Sequence, residues 1–93
     1  MRDHIRLRAF ILADDLVFLI YRINSNFPKE ELIGLTPQMR RSDVSVPLNI
    51  MEGYAWECQA EYLRFLEISF RSLRELHYKF GIAVRLGYKK NRN

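Results

Sequence analysis

The chain has one cysteine, Cys58, so no internal disulfide can form, and a reducing, cytoplasmic setting is expected. Four glycines and three prolines are too few for a collagen-like or low-complexity chain, and no internal repeat is present. The two histidines, His4 and His77, lie far apart in sequence and share no ligand-like spacing, so each is read as an amphipathic packing residue. No metal site and no cofactor is implied. A membrane span is also missing. Residues 10–23 are strongly apolar, but Asp14 and Asp15 interrupt them and no small-residue cleavage pattern follows. Acidic residues are absent from residues 76–93, where Lys79, Arg85, Lys89, Lys90 and Arg92 stand unopposed.

What is present fits one small helical domain. Ninety-three residues leave no room for a second domain, and a chain of this size buries only about two-thirds of its unfolded surface. A hydrophobic share of 48% excludes a disordered tail protein. The net charge of +4 sits at the two ends: residues 1–13 carry Arg2, Arg6 and Arg8 against Asp3, whereas the middle of the chain is net acidic. Such ends suit a polyanionic partner, although basic tails also occur on proteins that bind nothing with them.

Periodicity predicts helices over about 5–25, 36–56 and 59–86, with a short helical turn at 28–33 and a basic tail at 88–93. In the first helix Phe10, Ala13, Val17, Ile20 and Tyr21 form one apolar stripe, and Leu12, Leu16, Leu19 and Ile23 form a second. A helix apolar on two sides is buried on two sides. In the third, Tyr62, Leu66, Ser69, Leu73, Leu76, Phe80 and Ala83 keep the alternating steps of a bundle seam. Leu63, Phe70, His77 and Val84 repeat every seven residues beside it. A three-helix bundle needs one broad apolar face per helix. The surplus rows, Leu12–Leu16–Leu19–Ile23 and Leu63–Phe70–Val84, are therefore expected at an interface with another copy or another polypeptide.

The most specific stretch is 36–53, TPQMRRSDVSVPLNIMEG. Thr36 reads as an N-cap and Pro37 as the first helical residue. Met39, Val46 and Ile50 make an apolar stripe, while Arg41, Ser45, Asn49 and Glu52 line a neighbouring face. Pro47 falls inside the helix. It removes one i→i−4 hydrogen bond and is expected to kink the helix, leaving a carbonyl near Asp43 for Asn49 or a facing helix to satisfy.

These residues resemble a known family. Phe27-Pro28-Lys29-Glu30-Glu31, Gly34-Leu35-Thr36, Arg40-Arg41 and Ser45-Val46-Pro47-Leu48-Asn49-Ile50-Met51-Glu52-Gly53 follow its pattern in order. Glu61-Tyr62-Leu63-Arg64-Phe65-Leu66, Ser72-Leu73-Arg74-Glu75-Leu76 and Leu86-Gly87-Tyr88 match further on. The chain is similar, over most of residues 4–88, to the four-helix-bundle proteins of intervening sequences in bacterial large-subunit ribosomal RNA. The same family includes the accessory protein of diversity-generating retroelements. The resemblance implies an antiparallel up-down bundle and an assembly of five copies built from four-helix subunits. Two residues depart from the pattern: Arg71 stands where glycine is usual, and Met51 where alanine is. The family continues past the leucine-glycine-tyrosine turn into a fourth helix. This chain ends at Asn93, so three helices are expected.

Arg40 and Arg41 have two readings, a phosphate clamp or an intramolecular role. Arg41 is assigned to structure because it shares the Ser45–Asn49–Glu52 face and can reach an acid such as Glu75. Arg40 is placed with the nucleic-acid set, its bland alternative being plain solvation. Arg64, Arg71, Tyr78 and Arg85 repeat every seven residues with Arg74 alongside, a basic ribbon with an interleaved aromatic. The competing description is a salt-laced surface of Glu67–Arg71, Arg71–Glu75 and Glu75–Lys79 pairs. The candidate nucleic-acid residues are thus Arg40, Arg64, Arg71, Arg85, Lys89, Lys90 and Arg92. Arg41, Ser45, Pro47, Asn49, Glu52 and Gly53 form a structural motif. Trp56 is either an anchor for a partner or a cover for the bundle end. No catalytic constellation can be assembled, because Asn49 and Glu52 have no histidine, cysteine or second acid at suitable spacing. The expectation is a non-enzymatic homo-oligomer that binds structured RNA or DNA or supports a ribonucleoprotein. The alternative is a module that docks a protein such as a reverse transcriptase.

Overall fold

The computed structural model describes residues 2–56 and 58–88. Among them are three α-helices, α1 (Arg2–Asn24), α2 (Leu35–Tyr54) and α3 (Gln59–Arg85), with a 3-10 turn at Lys29–Ile33 and no strand. They form an up-down-up bundle with α2 in the middle. Both α1 and α3 pack on α2, and no Cα of α1 comes within 8 Å of a Cα of α3.

That arrangement follows from where the large apolar groups sit. Met39 is fully buried and meets Ile20 of α1 and Leu76 of α3, with Leu16, Ile23, Phe27 and Leu35 packed around them. A second cluster joins Ala13, Val46 and Ile50, flanked by Phe10 and Leu66. α2 thus buries residues toward both neighbours, whereas α1 and α3 each bury one stripe and leave the next row open.

The α2–α3 contact is built from small residues and hydroxyls. The Ser45 and Ser72 hydroxyls lie 2.8 Å apart, Ser69 Oγ donates to the Val46 carbonyl at 2.9 Å, and Lys79 Nζ donates to Ser42 Oγ at 2.8 Å. Gly53 completes the close approach. A Cβ there would stand 3.3 Å from both the Phe65 Cβ and the Tyr62 ring.

α2 continues through Pro47 without a break. The extra hydrogen bonds near the proline do not go to the carbonyl of Asp43, as the sequence suggested. Asn49 Nδ2 donates to the Ser45 carbonyl at 2.8 Å, and Ser69 serves the Val46 carbonyl. A side chain four residues on reaches back one turn, so Asn49 meets position 45 rather than 43.

The start of α2 also differs from expectation. The cap position is Gly34, and Thr36 lies inside the helix, where its hydroxyl is buried without a hydrogen-bond partner among the described residues. Glu31 takes the capping role from the preceding turn: its Oε1 accepts from the Leu35 N–H at 2.8 Å. Its Oε2 accepts from the Tyr88 hydroxyl at 2.9 Å, which pushes the phenol above its ordinary value. Tyr88 reaches that point through the turn closing α3. There Gly87 adopts φ 84°, the Tyr88 N–H bonds the Ala83 carbonyl, and the Gly87 N–H bonds the Val84 carbonyl. This is the glycine-terminated helix end in which left-handed backbone carries no Cβ penalty.

Candidate nucleic-acid interface

The outer face of α3 carries the basic ribbon. A seven-residue step returns to nearly the same side of a helix, so Arg64, Arg71, Tyr78 and Arg85 form one stripe with Arg74 beside it. All five are exposed. Arg64 is engaged: its Nε donates to Glu61 Oε1 at 3.0 Å, and its guanidinium lies 4.5 Å from the Phe65 ring centre. Among the described residues the Glu67–Arg71, Arg71–Glu75 and Glu75–Lys79 ion pairs are not formed, whereas Arg64–Glu61 is. Lys79 turns inward instead, onto Ser42 and the Gln38 carbonyl. The ribbon from Arg71 to Arg85 is therefore left without acidic neighbours in contact. Lys89, Lys90 and Arg92, which would extend it, lie outside the described residues.

The two arginines of α2 are placed differently from what the shared Ser45–Asn49–Glu52 face suggested. Arg40 folds back on α1: its Nε donates to Asn24 Oδ1 at 3.1 Å, its Nη2 donates to the Tyr21 carbonyl at 3.2 Å, and its guanidinium lies 4.1 Å from the Tyr21 ring centre. Asn24 is itself buried and donates to the Met39 sulfur at 3.7 Å. Arg41 is exposed, and its expected bond to Glu75 is not formed. Proximity to α1 decides this. One residue's rotation around α2 separates a side chain facing the end of α1 from one facing outward.

The apolar rows flank an open groove between α1 and α3. Leu12 and Phe70 are each 62% exposed on its lips, with Leu19, Leu63 and Val84 also exposed. Leu16 and Ile23 lie deeper, half-buried against the Ile20–Met39–Leu76 cluster. The groove floor at one level is Ala13, Leu16, Val46, Ile50 and Leu66. A third apolar row on α1 was not singled out from the sequence. Leu7, Ile11 and Phe18 are exposed, although their spacing of four and seven residues is legible. Arg6 was missed as well. Its guanidinium sits 4.7 Å from the Tyr54 ring centre and 4.5 Å from that of Tyr62, tying all three helices at one end. No spacing rule brings together residues from three helices.

The family described as 23S rRNA-intervening sequence protein matches residues 6–93. The chain belongs to that family. Comparison with curated proteins found no match. In this member of the 23S rRNA-intervening sequence family the shared motif lies mainly within the fold. Ser45 and Gly53 meet α3, Pro47 is buried and Asn49 bonds back to Ser45 within α2, so of this motif only Arg41 and Glu52 remain exposed. Trp56, also exposed, lies over Phe65 with ring centres 6.4 Å apart, at the end of the bundle. Among the described residues no group of histidine, cysteine, aspartate or glutamate could hold a metal, and no helix is long and apolar enough to cross a membrane.

Proposed function

We propose that the chain works as a non-enzymatic, oligomeric helical-bundle protein that binds structured RNA or DNA or supports a ribonucleoprotein. The observation that carries this reading is the exposed stripe of Arg71, Arg74 and Arg85, which has no acidic side chain in contact among the described residues. Arginine forks without internal partners are suited to phosphate oxygens, and several of them along one helix give contacts along a backbone. The family name adds an RNA connection. Assembly into an oligomer would multiply a modest charge per chain around one particle, raising avidity without new contacts. The test is an electrophoretic shift assay with structured ribosomal RNA fragments and duplex DNA, begun at low salt and repeated as salt rises. Retardation that weakens steeply with salt is the expected result.

A second reading, a protein-interaction module docking a partner such as a reverse transcriptase, is favoured by the apolar groove between α1 and α3. Apolar docking does not weaken as salt rises. Failure of the intact chain to retard either nucleic acid at low salt would transfer the function to this surface.

A further inference from the structure

The basic face of α3 is interrupted by an open hollow of about 420 Å³, lined by Arg74, His77, Tyr78, Gly81, Ile82 and Arg85. The hollow exists because position 81 has no side chain. Nothing among the described residues explains that choice. Gly87 is the glycine with positive φ among the described residues, so the backbone at Gly81 is ordinary helix. A Cβ built on Gly81 meets no atom within 4 Å among the described residues, so no close approach there requires its absence. A glycine in a helix interior weakens the helix relative to alanine, and the space it leaves here opens outward, where something could come close from outside.

The groups around the gap show what fits. Tyr78 is 72% exposed, its ring packs on no other aromatic among the described residues, and its hydroxyl has no hydrogen-bond partner there. Arg74 lies about one turn before Tyr78 and Arg85 about two turns after, both on the same side and both without an acid in contact among the described residues. A flat, unclaimed ring beside a cleared stretch of helix, with a guanidinium above and below, matches a base with its flanking phosphates. A duplex cannot use it, because its base faces are already stacked.

We propose that this hollow binds one unpaired nucleotide of a polynucleotide strand. The base stacks on Tyr78 over the Gly81 gap, and the adjoining phosphates bind Arg74 and Arg85. The inference rests on the nucleic-acid reading above and narrows it to unpaired positions such as loops and bulges.

The experiment measures fluorescence anisotropy of a labelled twelve-nucleotide oligouridine, its oligothymidine counterpart and a duplex RNA of equal length, each with the full chain. Tyr78→Ala is expected to weaken oligouridine binding about tenfold while leaving duplex binding and the salt slope unchanged, and Tyr78→Trp should retain it. Arg74→Ala and Arg85→Ala should each lower the salt slope by about one. Gly81→Leu, a good helix former, should fill the gap and mimic Tyr78→Ala with helicity intact by circular dichroism. A parallel loss for oligothymidine assigns recognition to base and phosphate alone; a loss confined to oligouridine adds the 2′-hydroxyl, and both support the site. Wild-type binding by Tyr78→Ala and Gly81→Leu overturns the notch while leaving the broader reading standing. So does a Gly81→Leu effect on oligomeric state alone. Binding of no probe by the wild-type chain removes both.

Discussion

The Ser69 hydroxyl donates to the Val46 carbonyl across 2.9 Å, joining α3 to α2 at the residue before Pro47. The bond is buried, so its loss would leave a polar atom facing apolar neighbours rather than water. Ser69→Ala should therefore destabilise the chain by about 0.5–1.5 kcal/mol. Exposed Ser25→Ala, whose hydroxyl serves the Arg22 carbonyl at the end of α1, is the control and should cost less. Urea denaturation of the two variants measures the difference, and equal midpoints would refute the importance of the Ser69 bridge.

Asp43 should make the fold less stable as pH rises through neutrality. Its side chain is fully buried, neither carboxyl oxygen has a hydrogen-bond partner among the described residues, and burial pushes the group from 3.8 up to about 7. Between about pH 4 and 7 the unfolded chain has released this proton while the folded chain keeps it. The folded state then binds more protons, and stability falls with rising pH across that window. The drop between pH 5 and 8 is expected to be on the order of 2 kcal/mol. Asp43→Asn, which cannot ionise, should flatten the dependence. Urea midpoints at the two pH values decide it, and an unchanged slope in the variant would sink the assignment.

Arg40 and Arg41 should separate cleanly. Arg40→Ala removes two hydrogen bonds and a ring contact with α1, so it should lower stability by about 1–3 kcal/mol. Arg41→Ala should change stability by no more than about 0.5 kcal/mol, as expected for an exposed side chain. Thermal unfolding followed by circular dichroism compares them. If Arg41→Ala proves the more damaging, the roles drawn from the structure are wrong.

The groove between α1 and α3 should govern assembly. Phe70→Glu alters a side chain that is already largely exposed, so the monomer should still fold while any oligomer dissociates. Leu16→Glu should dissociate it too, but with a stability loss, because Leu16 also packs on the core. Sedimentation velocity at micromolar concentration reads the outcome. A wild-type chain that sediments as a monodisperse monomer would overturn the expectation.

Much of the fold was legible because helical spacing reports burial directly. The stripes of α1 and α3, the helix through Pro47 and the closing turn at Gly87 all follow from local pattern and backbone chemistry. Side chains acting between elements were not legible. Thr36-Pro37 has the composition of a helix start, yet Glu31 in the preceding turn supplies the acceptor, and that moves the cap to Gly34. The same limit hid Arg40: whether an arginine meets phosphate or Asn24 depends on where α1 ends relative to α2. Leu73 fits the seam by spacing, but it lies 38% exposed because α1 stands too far away to cover it, and Leu76 takes the buried position. On the candidate interface, the arginine ribbon could be read from its seven-residue step. Its freedom from acidic partners could not, since Glu67 and Glu75 stand at pairing distance in sequence.

Because no Cα of α1 comes within 8 Å of one of α3, each outer helix has its backbone seam with α2, and α1 reaches α3 directly through long side chains such as Arg6 on Tyr62. The seams are unequal in kind. Hydroxyl and lysine contacts lace α3 to α2 along its length, whereas Arg6 and Arg40 hold α1 near its two ends. The Ile20–Met39–Leu76 cluster and Arg6 couple the two seams, and α1, with the sparser contact, is the helix expected to loosen first. The α2–α3 hairpin can persist as a unit while α1 swings away and exposes the floor of the groove. Amide exchange would then be graded by helix, fastest along α1, and the groove would be a surface that widens before the protein unfolds.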